Sequence, residues 1–143
     1  MVAAVLPLLF ACSQEAPAAD SSALVVNEVV SSNKRSLVDE NLGTPDWIEL
    51  YNSGSAPLDL SGYGISDNMR DLHKYVVPEG TVLGAGEYLV LYAMSASEDA
   101  TSPYITNFGL SKSGDYLFIT DAYFGLVAQM EICLLYTSPS PRD

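Results

Sequence analysis

The chain has 143 residues, 18 of them Asp or Glu and 6 Lys or Arg, for a formal net charge of −12 with its single His neutral. Such an excess of carboxylates repels phosphate backbones, which argues against direct nucleic-acid binding, while it attracts cations and basic partners. Cys12 and Cys133 lie near opposite ends, so the stretch between them must fold without a disulfide.

Residues 2–10 form an apolar run too short to span a bilayer but long enough for the core of a signal peptide. Leu9-Phe10-Ala11-Cys12 follows and resembles a bacterial lipobox, which makes Cys12 the expected lipidation site and residues 1–12 the leader. Several acyl chains, at about 0.8 kcal/mol per buried methylene, would hold the protein on a membrane. Ser13 in the next position favours the outer membrane, and the expected location is extracytoplasmic. Plain secretion, with cleavage after Ala16-Pro17-Ala18, is the alternative. No Lys or Arg precedes the apolar run, so a start upstream of Met1 is expected. Residues 13–22, rich in Ala, Ser and Pro, read as a flexible tether.

Residues 24–30 then read as a strand in which Leu24, Val26 and Glu28 alternate against Val25, Asn27 and Val29. A polar loop is expected over residues 31–44. Pro45 excludes a helix before residues 46–52, where Ile48 and Leu50 take one face of a strand and Trp47, Glu49 and Tyr51 the other. Short strands are expected within residues 57–60, 63–67 and 74–77. Gly84-Ala85-Gly86 makes a turn into residues 88–93, whose Leu89-Val90-Leu91 run predicts a strand buried on both sides at the centre of a sheet. Residues 106–110 and 116–120 are expected to pair as a hairpin, and residues 126–132 to form the last strand. No stretch of about twelve residues keeps a helical period, and turn signals recur throughout. The expected fold is therefore an all-β, antiparallel β-sandwich. Trp47, Tyr63, Tyr88, Phe108 and Phe118 are its expected aromatic anchors, each contributing about 2–3 kcal/mol when buried.

Several of these pieces in order carry a family resemblance: Asn27-Glu28-Val29, Asp46 to Asn52, Leu60-Ser61-Gly62-Tyr63, Pro78-Glu79-Gly80-Thr81, Gly86-Glu87-Tyr88 and Asn107-Phe108-Gly109-Leu110-Ser111. Together they resemble the lamin-tail domain over residues 23–132. The resemblance implies an immunoglobulin-like fold and a non-catalytic interaction module. In bacteria such domains often accompany other modules on surface proteins, among them spore-coat-protein-H-like kinases and nucleases. Outside residues 23–132 lie Glu15, Asp20, Asp143 and Arg142, which leaves the domain with 15 acids against 5 bases. Residues 133–143, Cys-Leu-Leu-Tyr-Thr-Ser-Pro-Ser-Pro-Arg-Asp, match the in-frame translation of a transposon-type sequencing adapter, so a non-native tail on a truncated reading frame is expected there.

No residue pattern marks catalysis. His73 lacks a Gly-x-Ser-x-Gly nucleophile turn anywhere in the chain and reads as a surface or strand-edge residue. One His without usable thiols is short of a zinc site. Gly84-Ala85-Gly86 is followed by no Gly-Lys-Ser/Thr and is no phosphate loop. Asp46 and Glu49, three apart in a strand, project to opposite faces. Calcium is the one cofactor the residues suggest, with Asp39, Glu40, Asp67 and Asp71 as ligands and Asn41 and Asn68 beside them. Neither loop has the Asp-x-Asp-x-Asp-Gly spacing, and the competing reading is a pair of solvated acidic loops. The expected function is thus a non-catalytic binding or adhesion module on a lipid-anchored protein, its ligand a protein or a polysaccharide. The alternative is the targeting arm of a larger surface enzyme whose catalytic part is missing; catalysis by this segment itself comes last.

Overall fold

Asp20 opens the ordered chain by accepting the Ser22 N–H on its carboxylate at 3.0 Å, which caps a 3-10 turn at Ser21–Ala23. The computed structural model describes residues 20–35, 37, 38, 40, 42–95, 102–111 and 115–132. Cys12, expected to be lipidated, the adapter-like residues 133–143 and residues 13–19 of the expected tether lie outside that set; residues 20–22 of the expected tether enter the 3-10 turn that leads into the first strand.

Nine strands follow: β1 (Leu24–Val30), β2 (Asp46–Asn52), β3 (Leu58–Asp59), β4 (Gly64–Ser66), β5 (Tyr75–Val76), β6 (Val82–Leu83), β7 (Tyr88–Ala93), β8 (Asp115–Thr120) and β9 (Leu126–Ile132). They assemble into a three-stranded sheet β1-β2-β7, a four-stranded sheet β5-β4-β8-β9 and a small β3-β6 pair, and every one of these pairings is antiparallel. Ile48, Leu50 and Leu91 from the first sheet share one buried cluster with Ile65, Leu117 and Ile119 from the second. Leu58, Leu60, Val77 and Leu83 join the same cluster from the connections. That interleaving of two inner faces is the expected sandwich.

Four expectations change. The alternation in β1 breaks at a bulge between Val26 and Glu28. Leu24 and Val26 point inward before it and Val29 after it, so Glu28 faces solvent instead of following Val26 into the core. Strand β7 is not a doubly buried central strand: it sits at the edge of its sheet, Leu91 and Ala93 turned in and Tyr88, Val90 and Tyr92 turned out. Its far side meets only a single parallel bridge, Tyr92 to Ile105. Residues 106–110 form no hairpin strand, because Asn107 takes a positive φ of 60° and Thr106 N–H donates to the Tyr92 carbonyl at 3.0 Å. Asparagine tolerates that left-handed conformation, which ends extended pairing. Tyr88, expected as an anchor, is 55% exposed, whereas Trp47, Phe108 and Phe118 are buried and Tyr63 is partly so. The short strand β6 was not anticipated.

Candidate functional site: the outer face of the first sheet

In a sandwich the residues that alternate with the core positions face water and are ordinarily polar. The first sheet departs from this. Strand register places Val25, Tyr51 and Tyr88 side by side across β1, β2 and β7 on the outer face. Glu28, Glu49 and Val90 form the next row, then Val30, Trp47 and Tyr92. Seven of these nine side chains are apolar or aromatic. Tyr51 and Tyr88 stack with ring centroids 4.6 Å apart, and Val25 beside them is 41% exposed. The only two charges of the lattice, Glu28 and Glu49, stand directly opposite one another in its middle row. The bulge also brings Asn27 to this side, where its amide donates to Glu49 Oε1 at 2.7 Å. Trp47, at the far end, is buried.

The framework below the face is held by two asparagines that sequence reading did not single out. Asn52, fully buried at the end of β2, donates to the carbonyls of Ala56 (2.8 Å) and Leu83 (3.0 Å) and accepts the Gly54 N–H at 2.9 Å. Its own backbone pairs with Gly86 and Glu87, which sets the turn feeding β7 and so places Tyr88 beside Tyr51. Asn33 does the same at the opposite end, donating to the carbonyls of Leu37 and Pro45 while its backbone N–H meets Asp46 Oδ1 at 2.8 Å. The signal for both was an Asn flanking a β-rich run, which is too common to stand out.

The second sheet carries a smaller feature on its own outer face. Asp67, Asn68, Met69, Tyr116, Phe118 and Gln129 line a concavity of about 350 Å3. Beyond it, His73 stacks on Phe124 with centroids 3.8 Å apart, and its Nε2–H donates to the Asp121 carbonyl at 3.2 Å. Phe124 holds a positive φ of 65°, fixed by Asp121, whose Oδ1 accepts the N–H groups of Tyr123 and Gly125 at 2.8 Å each. His73 is thus a half-buried residue packed on Phe124.

The candidate calcium ligands are not gathered into a cluster among the described residues. Asp67 Oδ1 is ion-paired with Lys74 Nζ at 2.7 Å, Asp71 is exposed in the same loop, and Glu40 is exposed in the β1–β2 loop. Asp39 and Asn41 lie outside the described residues, among which no group of three or more His, Cys, Asp or Glu side chains is positioned to hold a metal. Two phenols have perturbed acidities. Burial, and secondarily Tyr104, pushes Tyr75 up to about 12, and its O–H donates to the Pro103 carbonyl at 2.7 Å. Burial also raises Tyr63, helped by the charges of Asp121 and Asp59.

With the geometry in place, comparison with known families gives one finding: the family model described as Lamin Tail Domain matches residues 17–132. The match begins ahead of the boundary expected at Ala23 and ends at Ile132, where β9 ends. No curated protein matches the chain.

Proposed function

We infer the function from one premise: the chain belongs to the lamin tail domain family. On that premise it works as a non-catalytic binding module, an immunoglobulin-like sandwich held outside the cytoplasm by lipid on Cys12, the outer membrane being the favoured site. The surface that meets the ligand, a protein or polysaccharide of the cell envelope, is the outer face of the β1-β2-β7 sheet. One observation carries this reading: Tyr88 stands exposed, stacked on a half-buried Tyr51, on a face that a self-sufficient sandwich would make polar. Tyrosines of this kind supply contact area at little entropic cost and are enriched at binding hot spots.

Two measurements test it. Labelling with radioactive palmitate marks the wild-type chain in a bacterial host and leaves Cys12→Ser unlabelled and released from the membrane; a Cys12→Ser protein that stays membrane-bound rejects the anchor. Purified chain sediments with envelopes of the cells that carry the gene, and the double variant Tyr51→Ser/Tyr88→Ser does not. Equal sedimentation of the two rejects the binding face.

A further inference from the structure

We propose that the outer face of the β1-β2-β7 sheet receives a basic segment of a partner protein, which sets an arginine or lysine head between Glu28 and Glu49 and lays its stem against Tyr51 and Tyr88. The inference rests on the reading of that face as the binding surface and adds the chemistry of what it binds.

The argument starts from a defect. Like charges directly opposite on neighbouring strands destabilise a sheet, and Glu28 faces Glu49 across β1 and β2 on the solvent side. Among the described residues no cation relieves this: the only ion pair there is Lys74 with Asp67, away from this face. The Asn27 amide hydrogen-bonds Glu49 but brings no charge. In an unbulged register Glu28 would fall opposite Ile48 and away from Glu49, yet the bulge keeps Asn27 and Glu28 together opposite Glu49.

The surroundings select the compensating group. Val25 and Tyr51 precede the carboxylate row, Val30 and Trp47 follow it, and Val90 flanks it on β7. Neighbouring strands are about 4.8 Å apart, so the three of them make a platform on which an extended segment can lie. An anionic centre ringed by apolar and aromatic side chains fits a cation on an apolar stem. A guanidinium can bridge two carboxylates while its plane stacks on a tyrosine ring, and a lysine stem packs on the same rings. The chain's net charge of −12 repels polyanions and draws a basic partner from a distance. A neutral polysaccharide would displace water from the two carboxylates and strengthen their repulsion without cancelling it.

The test uses the full chain, a defined probe and the envelope preparation. Titration with acetyl-Ser-Val-Arg-Val-Ser-amide is followed by NMR at the amides of Glu28, Glu49 and Val90 and the ring signals of Tyr51 and Tyr88. Saturable shifts there are expected, weakening at least about tenfold when glutamine replaces the peptide's arginine or when Glu28→Gln/Glu49→Gln replaces the wild type. Shifts confined to Tyr116 and Phe118, or equal binding of the glutamine peptide, overturn the proposal. The Gln pair should melt at a higher temperature than wild type, which separates lost binding from lost folding. In sedimentation, a Gln pair that binds envelopes normally while Tyr51→Ser/Tyr88→Ser does not removes the cationic partner and leaves the binding face standing. If both variants bind normally, the face itself is wrong. Envelopes treated with trypsin should lose binding; undiminished binding to them points to a polysaccharide and overturns the protein partner.

Discussion

Gly64 shows how tightly single residues are constrained here. A Cβ at that position would lie 2.6 Å from both the Leu72 carbonyl oxygen and Thr120 Oγ1 and would run into the His73 ring, so only hydrogen fits between β4 and the chain crossing it. Gly64→Ala should lower stability by about 1–3 kcal/mol, read as a reduced urea midpoint. Asn52 is constrained by satisfaction instead. Asn52→Ala leaves the Ala56 and Leu83 carbonyls and the Gly54 N–H without their partner in a buried site, a cost of about 1–3 kcal/mol or more and a fall in Tm of at least roughly 5 °C. Tyr75 gives a pH signature. Burial raises its pKa to about 12 in the fold against 10 for the free phenol, so the fold favours the neutral form. That contribution is fully present below about pH 10 and is lost as pH rises from there through 12. The urea midpoint should therefore fall over that window. Tyr75→Phe should start lower, having lost the hydrogen bond to Pro103, and should slope less steeply; an unchanged slope would show that Tyr75 ionises as freely in the fold as in water.

At the scale of elements, the β1 bulge decides which side chains the first sheet shows to solvent. Without a bulge the same sequence would have to choose between burying Leu24 with Val26 and burying Val29, whereas deleting Asn27 itself keeps all three inward in strict alternation. Each apolar side chain turned out would cost about 1.5–3 kcal/mol, whereas the deletion gives up about 0.5–1.5 kcal/mol with the Asn27–Glu49 hydrogen bond and should melt only a few degrees below wild type in a circular-dichroism scan. The bulge is also what sequence could not disclose. Val25-Val26-Asn27-Glu28-Val29-Val30 fits strand alternation in either parity, and only pairing with β2 shows where the phase slips. By contrast β2 was legible, because Ile48 and Leu50 alternate cleanly with Trp47, Glu49 and Tyr51 between a proline and an Asn-Ser-Gly turn. The Leu89-Val90-Leu91 run misled for a related reason: a continuous apolar run signals burial on both faces, and here the outward Val90 belongs to an apolar outer face. Residues 106–110 misled because the β-compatible Thr106-Asn107-Phe108 gives no warning of a left-handed Asn.

Over the whole molecule, composition and turn spacing were enough for the sandwich, since an all-β chain of this size with no helical period has few other ways to bury its apolar alternation. The proposed binding face was not legible, since it arises from three strands distant in sequence whose outward residues each look unremarkable alone. Among the described residues Glu40, Asp67 and Asp71 form no metal-holding cluster, and acidic loops look alike in sequence whether they converge or, like Asp67 with Lys74, pair locally. The account depends on which way the first sheet faces. Hydroxyl-radical footprinting of the native chain, read residue by residue by mass spectrometry, measures that directly. The rings of Tyr88 and Tyr51 should be oxidised readily, Tyr88 at a rate approaching that of free tyrosine, while Ile48, Leu50, Leu91, Leu117 and Ile119 stay protected. Labelling of Leu91 and Ile119 with Tyr88 protected would mean the sheet is turned over, and the binding face would go with it.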